Sequence, residues 1–319
     1  MVEVLKTLPV FSHRWVSSAP GPLDDAAVVH PEGAERDMVL TLDVITPLVD
    51  DPETFGRIAA ANALSDVYAM GGRPEVALSF VGIPDGVGLD VLEQILHGVA
   101  DKAREAECGI VGGHSIRDSE PKVGLAVVGS VARDGAWTHR QATAGQKLVL
   151  TKALGTGVLA QALRAGAARA EDMDHAVRSM QALNARACAA GLGRGVTAAT
   201  DVTGYGLLGH LWHMVSASGV AARLDAARVP LLPGALEAAG AGHVPGGSKR
   251  NLSYVKAQLR GEESLPPALL TVLADAQTSG GLLLCVPAAQ ADALVTELGA
   301  PAVVIGEIVA DEPKTISLG

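Results

Sequence analysis

Carboxylates follow apolar segments or stand beside glycines at several places in this sequence, and they are the residues best suited to chemistry. They are Asp24, Asp25, Asp43, Asp66 and Asp201. A carboxylate at the end of a buried segment is costly unless a cation meets it. Oxygen ligands of this kind suit Mg²⁺, whose shell substrate phosphate oxygens can complete. The alternative for any single aspartate is a helix cap or a surface ion pair.

Asn62 lies four residues before Asp66 in a helical pattern, so both side chains are expected on one helix face. His210 and His213 are three apart and could likewise share a metal. The alternative favoured for these histidines is one helix-packing side chain and one solvated side chain.

Two glycine-rich segments could bind phosphate. Gly204, Gly206 and Gly209 have the G-x-G-x-x-G spacing of dinucleotide sites, with Asp225 about 20 residues further on. Asp201 would repel a diphosphate there unless a cation lay between them, which favours a metal–nucleotide site. The second segment, residues 112–115, is predicted to be a turn after a buried strand at 109–111, with backbone N–H groups facing a phosphate.

Alternating strands and helices must position these residues. A strand at 38–42 is predicted to end at Asp43, and a helix to begin with Asp51 as N-cap and Pro52 at its first position and to stop at Gly71. Further strands are predicted at 76–81, 122–132, 147–151, 282–286 and 302–309, and further helices at 89–107, 158–165, 173–190 and 207–218. The pattern indicates an α/β (α+β) chain of two domains, 1–140 and 141–319.

Composition excludes some classes of protein. Hydrophobic residues make up 48% of the 319 residues, which is enough for packed cores, and the net charge of −10 without a basic cluster argues against nucleic-acid binding. No apolar run reaches the length of about 20 residues that spans a membrane. Cys108, Cys188 and Cys285 are far apart and are expected to be buried, reduced thiols, which predicts a cytoplasmic protein.

Taken together, the segments from Asp24 to Val309 resemble the selenophosphate synthetase (selenide, water dikinase) family. Parts of the likeness extend to the wider aminoimidazole-ribonucleotide-synthetase-like superfamily, and the G-x-G-x-x-G match is then a coincidence of glycines. The resemblance rests on Asp24-Asp25-Ala26-Ala27-Val28, Asn62-Ala63-Leu64-Ser65-Asp66, Gly113-His114-Ser115-Ile116, residues 200–210 and Gln277-Thr278-Ser279-Gly280-Gly281.

The resemblance implies a two-domain fold, a homodimer whose N-terminal domains pair into a β-barrel, and conversion of ATP, selenide and water to selenophosphate, AMP and phosphate. It implies Mg²⁺ and a monovalent cation, with K⁺ expected. The positions that match metal ligands are Asp25, Asp66 and Asp201, with Asn62 beside them. Asp43 and Asp66 match contacts to the nucleotide phosphates through metal. The matches to nucleotide-binding turns are Pro22, Leu23, Asp24, Gly113, His114 and Ser115.

One family feature has no match, so no catalytic residue is assigned. The family carries an N-terminal loop with a Cys or selenocysteine and a Lys three residues later, whereas Lys6 has no such cysteine before it. Residues 2–9 resemble the helix after that loop. Three explanations stay open: the loop was removed, a selenocysteine codon upstream of Met1 was read as a stop, or this is a paralogue without the loop.

Two alternative functions stay open as well. The chain could be another ATP-using member of the superfamily, such as a thiamine-phosphate kinase or a purine-pathway synthetase. It could also be a nucleotide-binding paralogue without catalytic activity, which the missing nucleophile would favour.

Overall fold

The structure is a computed structural model that describes residues 13–16, 24–310 and 314–319. Pro22, Leu23 and the helix predicted at 2–9 lie outside the described residues.

The first half of the chain forms a five-stranded sheet in the order β1-β2-β5-β3-β4. All neighbours are antiparallel except β3 and β4, which run parallel. Two helices, α1 and α2, pack against each other, and α1 packs on β2 and β5. The elements are β1 (Ala27–Val29), β2 (Arg36–Ile45), α1 (Pro52–Ala69), β3 (Arg73–Ile83), α2 (Leu89–Glu105), β4 (Gly109–Arg117) and β5 (Lys122–Ala132).

Helix α1 begins as predicted and is buried on nearly every side. The Asp51 side chain accepts a hydrogen bond from the Thr54 backbone N–H at 2.8 Å, and Pro52 is the first helical residue. Gly71, at φ +70°, follows the end of the helix in the left-handed conformation that glycine adopts readily. Because alanines occupy much of its surface, α1 can contact α2, the first sheet and the second half of the chain at once.

The second half forms a seven-stranded sheet in the order β7-β10-β6-β11-β8-β12-β9. Its central strands are antiparallel, and β12 is parallel to both β8 and β9. The strands are β6 (Lys147–Leu150), β7 (Ala198–Asp201), β8 (Ala221–Leu224), β9 (Leu259–Arg260), β10 (Leu282–Val286), β11 (Val303–Val309) and β12 (Ile316–Leu318).

Both faces of this sheet are covered. Along β10, Leu283 and Cys285 belong to one hydrophobic core, and Leu282, Leu284 and Val286 belong to another that also contains residues of the first half. This alternation follows from the two-residue period of a strand. The helices are α3 (Thr156–Arg164), α4 (Ala170–Gln181), α5 (Ala185–Leu192), α6 (Gly206–Ser218), α7 (Ala235–Gly240), α8 (Gly246–Val255), α9 (Pro267–Leu273) and α10 (Ala288–Leu298).

The structure corrects three sequence predictions. Strand β2 does not end at Asp43, because Asp43 pairs with Leu125 and the ladder continues to Ile45. The predicted helix at 173–190 is divided into α4 and α5, and the buried Asn184 amide at the break donates to the Ser65 hydroxyl and the Gly280 carbonyl.

The third correction concerns residues 109–115. They do not form the predicted buried strand followed by a turn. They belong to the exposed strand β4, which lies at the edge of the sheet beside β3. In this position Gly113, His114 and Ser115 continue the ladder opposite residues 79–81.

None of the helices that the structure describes is both long enough and apolar enough to cross a membrane.

The contact between α1 and α2 requires glycine at Gly98. A Cβ atom there would lie 2.0 Å from the Glu53 carbonyl oxygen, far inside van der Waals contact. We therefore expect Gly98→Ala to lower the free energy of unfolding by about 1–3 kcal/mol, although alanine is the better helix former. Urea unfolding measures the change. The control is Gly193→Ala, whose Cβ atom would have its nearest neighbour at 3.7 Å; equal stability of the two variants would contradict the prediction.

Candidate active site

A cleft of about 620 Å³ lies between the two halves of the chain, and residues of both halves line it. The predicted site residues that line it are Asp24, Asp25, Asp43, Asn62, Asp66 and Asp201. They come from the segment before β1, from β2, from one face of α1 and from the end of β7. Residues far apart in the sequence therefore converge, as the metal–nucleotide interpretation expected.

The Asn62 amide joins the two halves and orients Asp43. Its Nδ2 donates to Asp43 Oδ2 at 2.7 Å, and its Oδ1 accepts from the Ser279 backbone N–H at 2.9 Å. Asn62 is thus engaged through both ends of its amide, and its role as a metal ligand stays a prediction.

Asp25 is held by Thr200 of the second half and by His139, which precedes the second half. The Thr200 hydroxyl donates to its Oδ1 at 2.9 Å, and the buried His139 ring places Nε2 3.4 Å from its Oδ2. Burial alone would lower the pKa of His139, but Asp25, Asp24 and Asp201 outweigh it and hold that pKa above its ordinary value. The His139 side chain can therefore carry positive charge against the carboxylates.

Asp66 and Asp201 are nearly inaccessible to solvent. Burial raises the pKa of Asp66 well above its ordinary value, and the charges of Asp201, Asp43 and Asp25 act in the same direction. Burial also raises the pKa of Asp201 to about 8, with a further contribution from Asp25. Asp66 accepts a hydrogen bond from the Thr41 hydroxyl. Without a cation these two carboxyl groups therefore favour their protonated form, and a bound metal would favour the ionised form.

These residues fit a hard divalent cation. The Oδ2 atom of Asp201 is buried without a hydrogen-bond partner in the part of the chain that is described, and Asp25 Oδ2 has only the His139 ring, 3.4 Å away, so both can accept a cation. The cleft carboxylates are not drawn together around one point as a closed metal cage would be. Mg²⁺ is commonly held by one or two carboxylates with phosphate oxygens completing its shell, and this spacing suits that mode.

His30, Asp37 and Asp134 do have ligand atoms within 4.8 Å of one another. That group lies outside the cleft lining, and Arg133 already supplies it with a cation 3.0 Å from Asp37 Oδ1.

His210 and His213 also line the cleft, and both are buried. The prediction that one is solvated is therefore wrong. Burial lowers the pKa of His210 to about 3 and that of His213 to about 4, so both rings are neutral at physiological pH. His210 Nδ1 lies 3.0 Å from the Thr200 hydroxyl, which connects this ring to the group that holds Asp25.

Residues 276–278 of the second half line the cleft, and buried polar groups fix the segment 275–281 to which they belong. The Gln277 side-chain carbonyl accepts from the backbone N–H groups of Gly155 and Thr156 at the start of α3. Lys152 donates to the carbonyl oxygens of Ser279 at 2.9 Å and of Ala182 at 2.6 Å. Burial lowers the pKa of Lys152 to about 7.

Sequence reasoning missed the positions of His139 and Lys152. No local pattern gives Lys152 a role, and nothing in the pattern around His139 distinguishes it from other residues at the expected domain boundary. Both act through contacts with residues distant in sequence, which spacing does not reveal.

Gly113, His114 and Ser115 are not brought to the cleft within this single chain. They lie on the exposed edge strand β4 and are absent from the cleft lining. Their nucleotide-binding role stays a prediction.

The three cysteines are free and buried, as expected from the sequence. Burial raises the pKa of Cys108 to about 11, that of Cys188 to about 12 and that of Cys285 further. A thiol with a raised pKa is a poor nucleophile, and none of the three lines the cleft.

Solved structures of similar fold show low sequence identity. Thiamine-monophosphate kinase from Stenotrophomonas maltophilia has a TM-score of 0.68 at 24% identity, covering 94% of this chain and 90% of its own. The hydrogenase maturation protein HypE in complex with ATP has a TM-score of 0.67 at 19% identity, covering 96% and 86%. These likenesses establish the fold.

Sequence relatives are more similar. The selenide, water dikinase of Myxococcus xanthus is 47% identical over 91% of this chain and 84% of its own length. That of Clostridioides difficile is 40% identical over 92% and 86%.

The family match covers nearly all of the sequence. Residues 23–131 match the N-terminal domain, and residues 143–319 the C-terminal domain, of AIR synthase related proteins. With both halves matched and such identity over nine-tenths of its length, the chain belongs to the selenide, water dikinase family of the AIR synthase related proteins.

Proposed function

We propose that this protein catalyses the ATP-dependent synthesis of selenophosphate from selenide and water, with release of AMP and phosphate. The observation that carries the proposal is the convergence of buried carboxylates from both halves on one cleft, in a chain of the selenide, water dikinase family. Two phosphoryl groups leave ATP in this reaction: one forms a bond to selenium, the other a bond to the oxygen of water.

The charge of the cleft supports a metal-bound nucleotide as substrate. A triphosphate would be repelled by Asp25, Asp66 and Asp201 unless cations lay between them. These three aspartates would hold Mg²⁺, which neutralises phosphate charge and polarises the phosphoryl oxygens when bound. Asp43, oriented by Asn62, faces the same space. K⁺ is the monovalent cation that we expect beside Mg²⁺.

The remaining walls suit the organic part of a nucleotide. Val44, Ile45 and Leu48 line the cleft next to the carboxylates and offer apolar surface. The neutral rings of His210 and His213 add hydrogen-bonding groups without adding positive charge. No nucleophile is assigned, since the three thiols are remote from the cleft lining.

A thiamine-phosphate kinase or purine-pathway activity is less well supported. The sequence identity to a thiamine-monophosphate kinase is 24%, and that likeness shows only a common fold. The sequence identity to a selenide, water dikinase is 47%. Analysis of the products by ³¹P NMR distinguishes selenophosphate synthesis from the third possibility, a paralogue that binds the nucleotide without turning it over.

We further propose a division into an ATP- and Mg²⁺-binding, dimer-forming domain at 1–140 and an α/β domain at 141–319. The outer face of the first sheet supports pairing of two copies. Leu42 and Leu78 both pair with Ala126, so the three form one row, and 64% of Leu42 and 49% of Leu78 are exposed. His114, in register with Phe80, belongs to the same face.

The free cysteines are consistent with the reducing cytoplasm, where we expect this protein.

The first experiment is ³¹P NMR of the protein with ATP, Mg²⁺, K⁺ and selenide under anaerobic conditions. We expect selenophosphate, AMP and phosphate, and no turnover by Asp66→Asn, which lacks a charge in the cleft. Asp292→Asn, at an exposed position on α10, should behave as the wild type. Intact ATP despite Mg–ATP binding would refute catalysis and leave a nucleotide-binding protein, and consumption of thiamine phosphate instead would favour the kinase alternative.

The raised pKa of Asp201 predicts a pH-dependent stability in EDTA. The folded protein keeps the Asp201 proton up to a pKa of about 8, whereas the unfolded chain loses it near 3.8. The free energy of unfolding should therefore fall as pH rises between these values, and Asp201→Asn should flatten the profile. Urea unfolding across this range, with Asp292→Asn as control, measures the effect; parallel profiles for wild type and Asp201→Asn would contradict it.

Mg²⁺ should stabilise the same cleft. At about one hundred times its Kd it adds about 2.7 kcal/mol if it binds the folded state alone. We expect thermal unfolding to move to higher temperature with Mg²⁺ in the wild type and in Asp292→Asn, and to respond much less in Asp201→Asn. An equal response in all three proteins would argue against metal binding by Asp201.

Pairing of two copies is tested by light scattering after gel filtration. We expect a dimer for the wild type and a monomer for Leu78→Asp, which would bury a charge in the proposed interface. The control is Leu89→Asp, at the start of α2, where the side chain is 82% exposed. A monomeric wild type, or a dimeric Leu78→Asp variant, would overturn the proposed interface.

A further inference from the structure

A second cavity of about 490 Å³ lies in the second half of the chain and shares no lining residue with the cleft. Its walls are the end of α4, the start of α5, the segment at 231–233 and residues 298–302 after α10, and its floor is residues 151–153 after β6.

Basic side chains line this cavity and acidic ones do not. Lys152, His175, Arg178 and Arg186 are among its lining residues, and neither aspartate nor glutamate is. The chain as a whole has a net charge of −10, whereas Arg178 and Arg186 give this cavity permanent positive charge. Neighbouring like charges destabilise one another unless an anion lies between them.

Carboxylates next to the cavity are already paired with other arginines. Asp172 on α4 accepts two hydrogen bonds from Arg169, at 2.7 and 2.8 Å. Glu297 on α10 forms an ion pair with Arg194. Both acids therefore have arginine partners that lie outside the cavity lining.

The basic groups of the cavity are left for a ligand. The Arg178 guanidinium has no hydrogen-bond or ion-pair partner among the described residues, and it is exposed. Arg186 donates to a backbone carbonyl, that of Glu297, and not to a carboxylate. Lys152 is 7% exposed and bonds only carbonyl oxygens.

Apolar side chains complete the walls. These are Leu183, Leu231, Leu232, Pro233, Leu298 and Pro301. A small inorganic anion would contact only the basic part of a cavity of this size, whereas an anion with an organic body would also cover the apolar part.

We propose that this cavity binds a small organic oxyanion of the phosphate monoester type. Arg178 and Arg186 bind the phosphate group, and the leucines and prolines bind the organic body. Guanidinium groups match phosphate oxygens in pairs of hydrogen bonds, and the cavity needs no metal to attract an anion.

The cavity is connected to the cleft by hydrogen bonds. Lys152 lines the cavity and donates to the Ser279 carbonyl, and the Ser279 N–H donates to Asn62 in the cleft. The two sites differ in sign: the cleft is acidic and requires a cation before phosphate can enter, whereas the cavity is basic.

Calorimetric titration with phenyl phosphate in EDTA tests the proposal separately from the proposed function. Without metal the cleft presents carboxyl groups and no bound cation to a phosphate group, so binding reports on the cavity. We expect one phenyl phosphate per chain, bound about tenfold more tightly than inorganic phosphate because the ring covers apolar surface. Arg178→Glu should weaken binding at least about tenfold, and Arg178→Gln should weaken it to a smaller extent.

The matched control is Arg104→Glu, which makes the same change in net charge on the exposed surface of α2. It should leave binding unchanged, and circular dichroism verifies that each variant is folded. Absence of saturable binding to the wild type, or unchanged binding in folded Arg178→Glu and Arg178→Gln, would overturn the proposal. Loss of binding in Arg104→Glu as well would overturn it too, because net charge alone would then explain the effect.

Discussion

The repulsion among buried carboxylates in one cleft is the constraint on which the rest of the structure depends. Burial raises the pKa of Asp43, Asp66 and Asp201, and the charges of neighbouring aspartates raise it further. The fold places hydrogen-bond donors and a histidine that can be protonated, His139, next to these carboxylates, and it leaves room for cations. A cleft built in this way is incomplete without a ligand that brings positive charge, which agrees with a reaction of metal-bound ATP.

The same constraint explains why both halves of the chain are needed. Asp43 and Asp66 belong to the first half, but Asn62, which orients Asp43, depends on the Ser279 N–H of the second. Asp25 belongs to the first half and is held by Thr200 of the second. The first half alone would lack the Thr200 donor to Asp25 and the Ser279 N–H that holds Asn62, so the site and the association of the halves stabilise each other.

How much the sequence could predict depends on whether a feature is local. Helix α1 was predictable because Asp51, Pro52 and Gly71 act within a few residues of its ends. Asp201 and Asp25 could be placed in one site because both match metal-ligand positions of the family that the sequence resembles. By contrast, the contact of His139 with Asp25 joins distant residues, and the exposure of β4 depends on its place at a sheet edge. No local pattern encodes either property.

Helix α1 also has a consequence for how a protein of this shape can change over evolutionary time. One face of the helix supplies Asn62 and Asp66 to the cleft, another fits against α2 at Gly56, and alanines fill the contacts between them. Almost any larger side chain would therefore collide with a neighbour or disturb the face that lines the cleft. New substrate preferences would have to arise in the surrounding walls, such as residues 44–48 or 275–281, while this helix stays fixed.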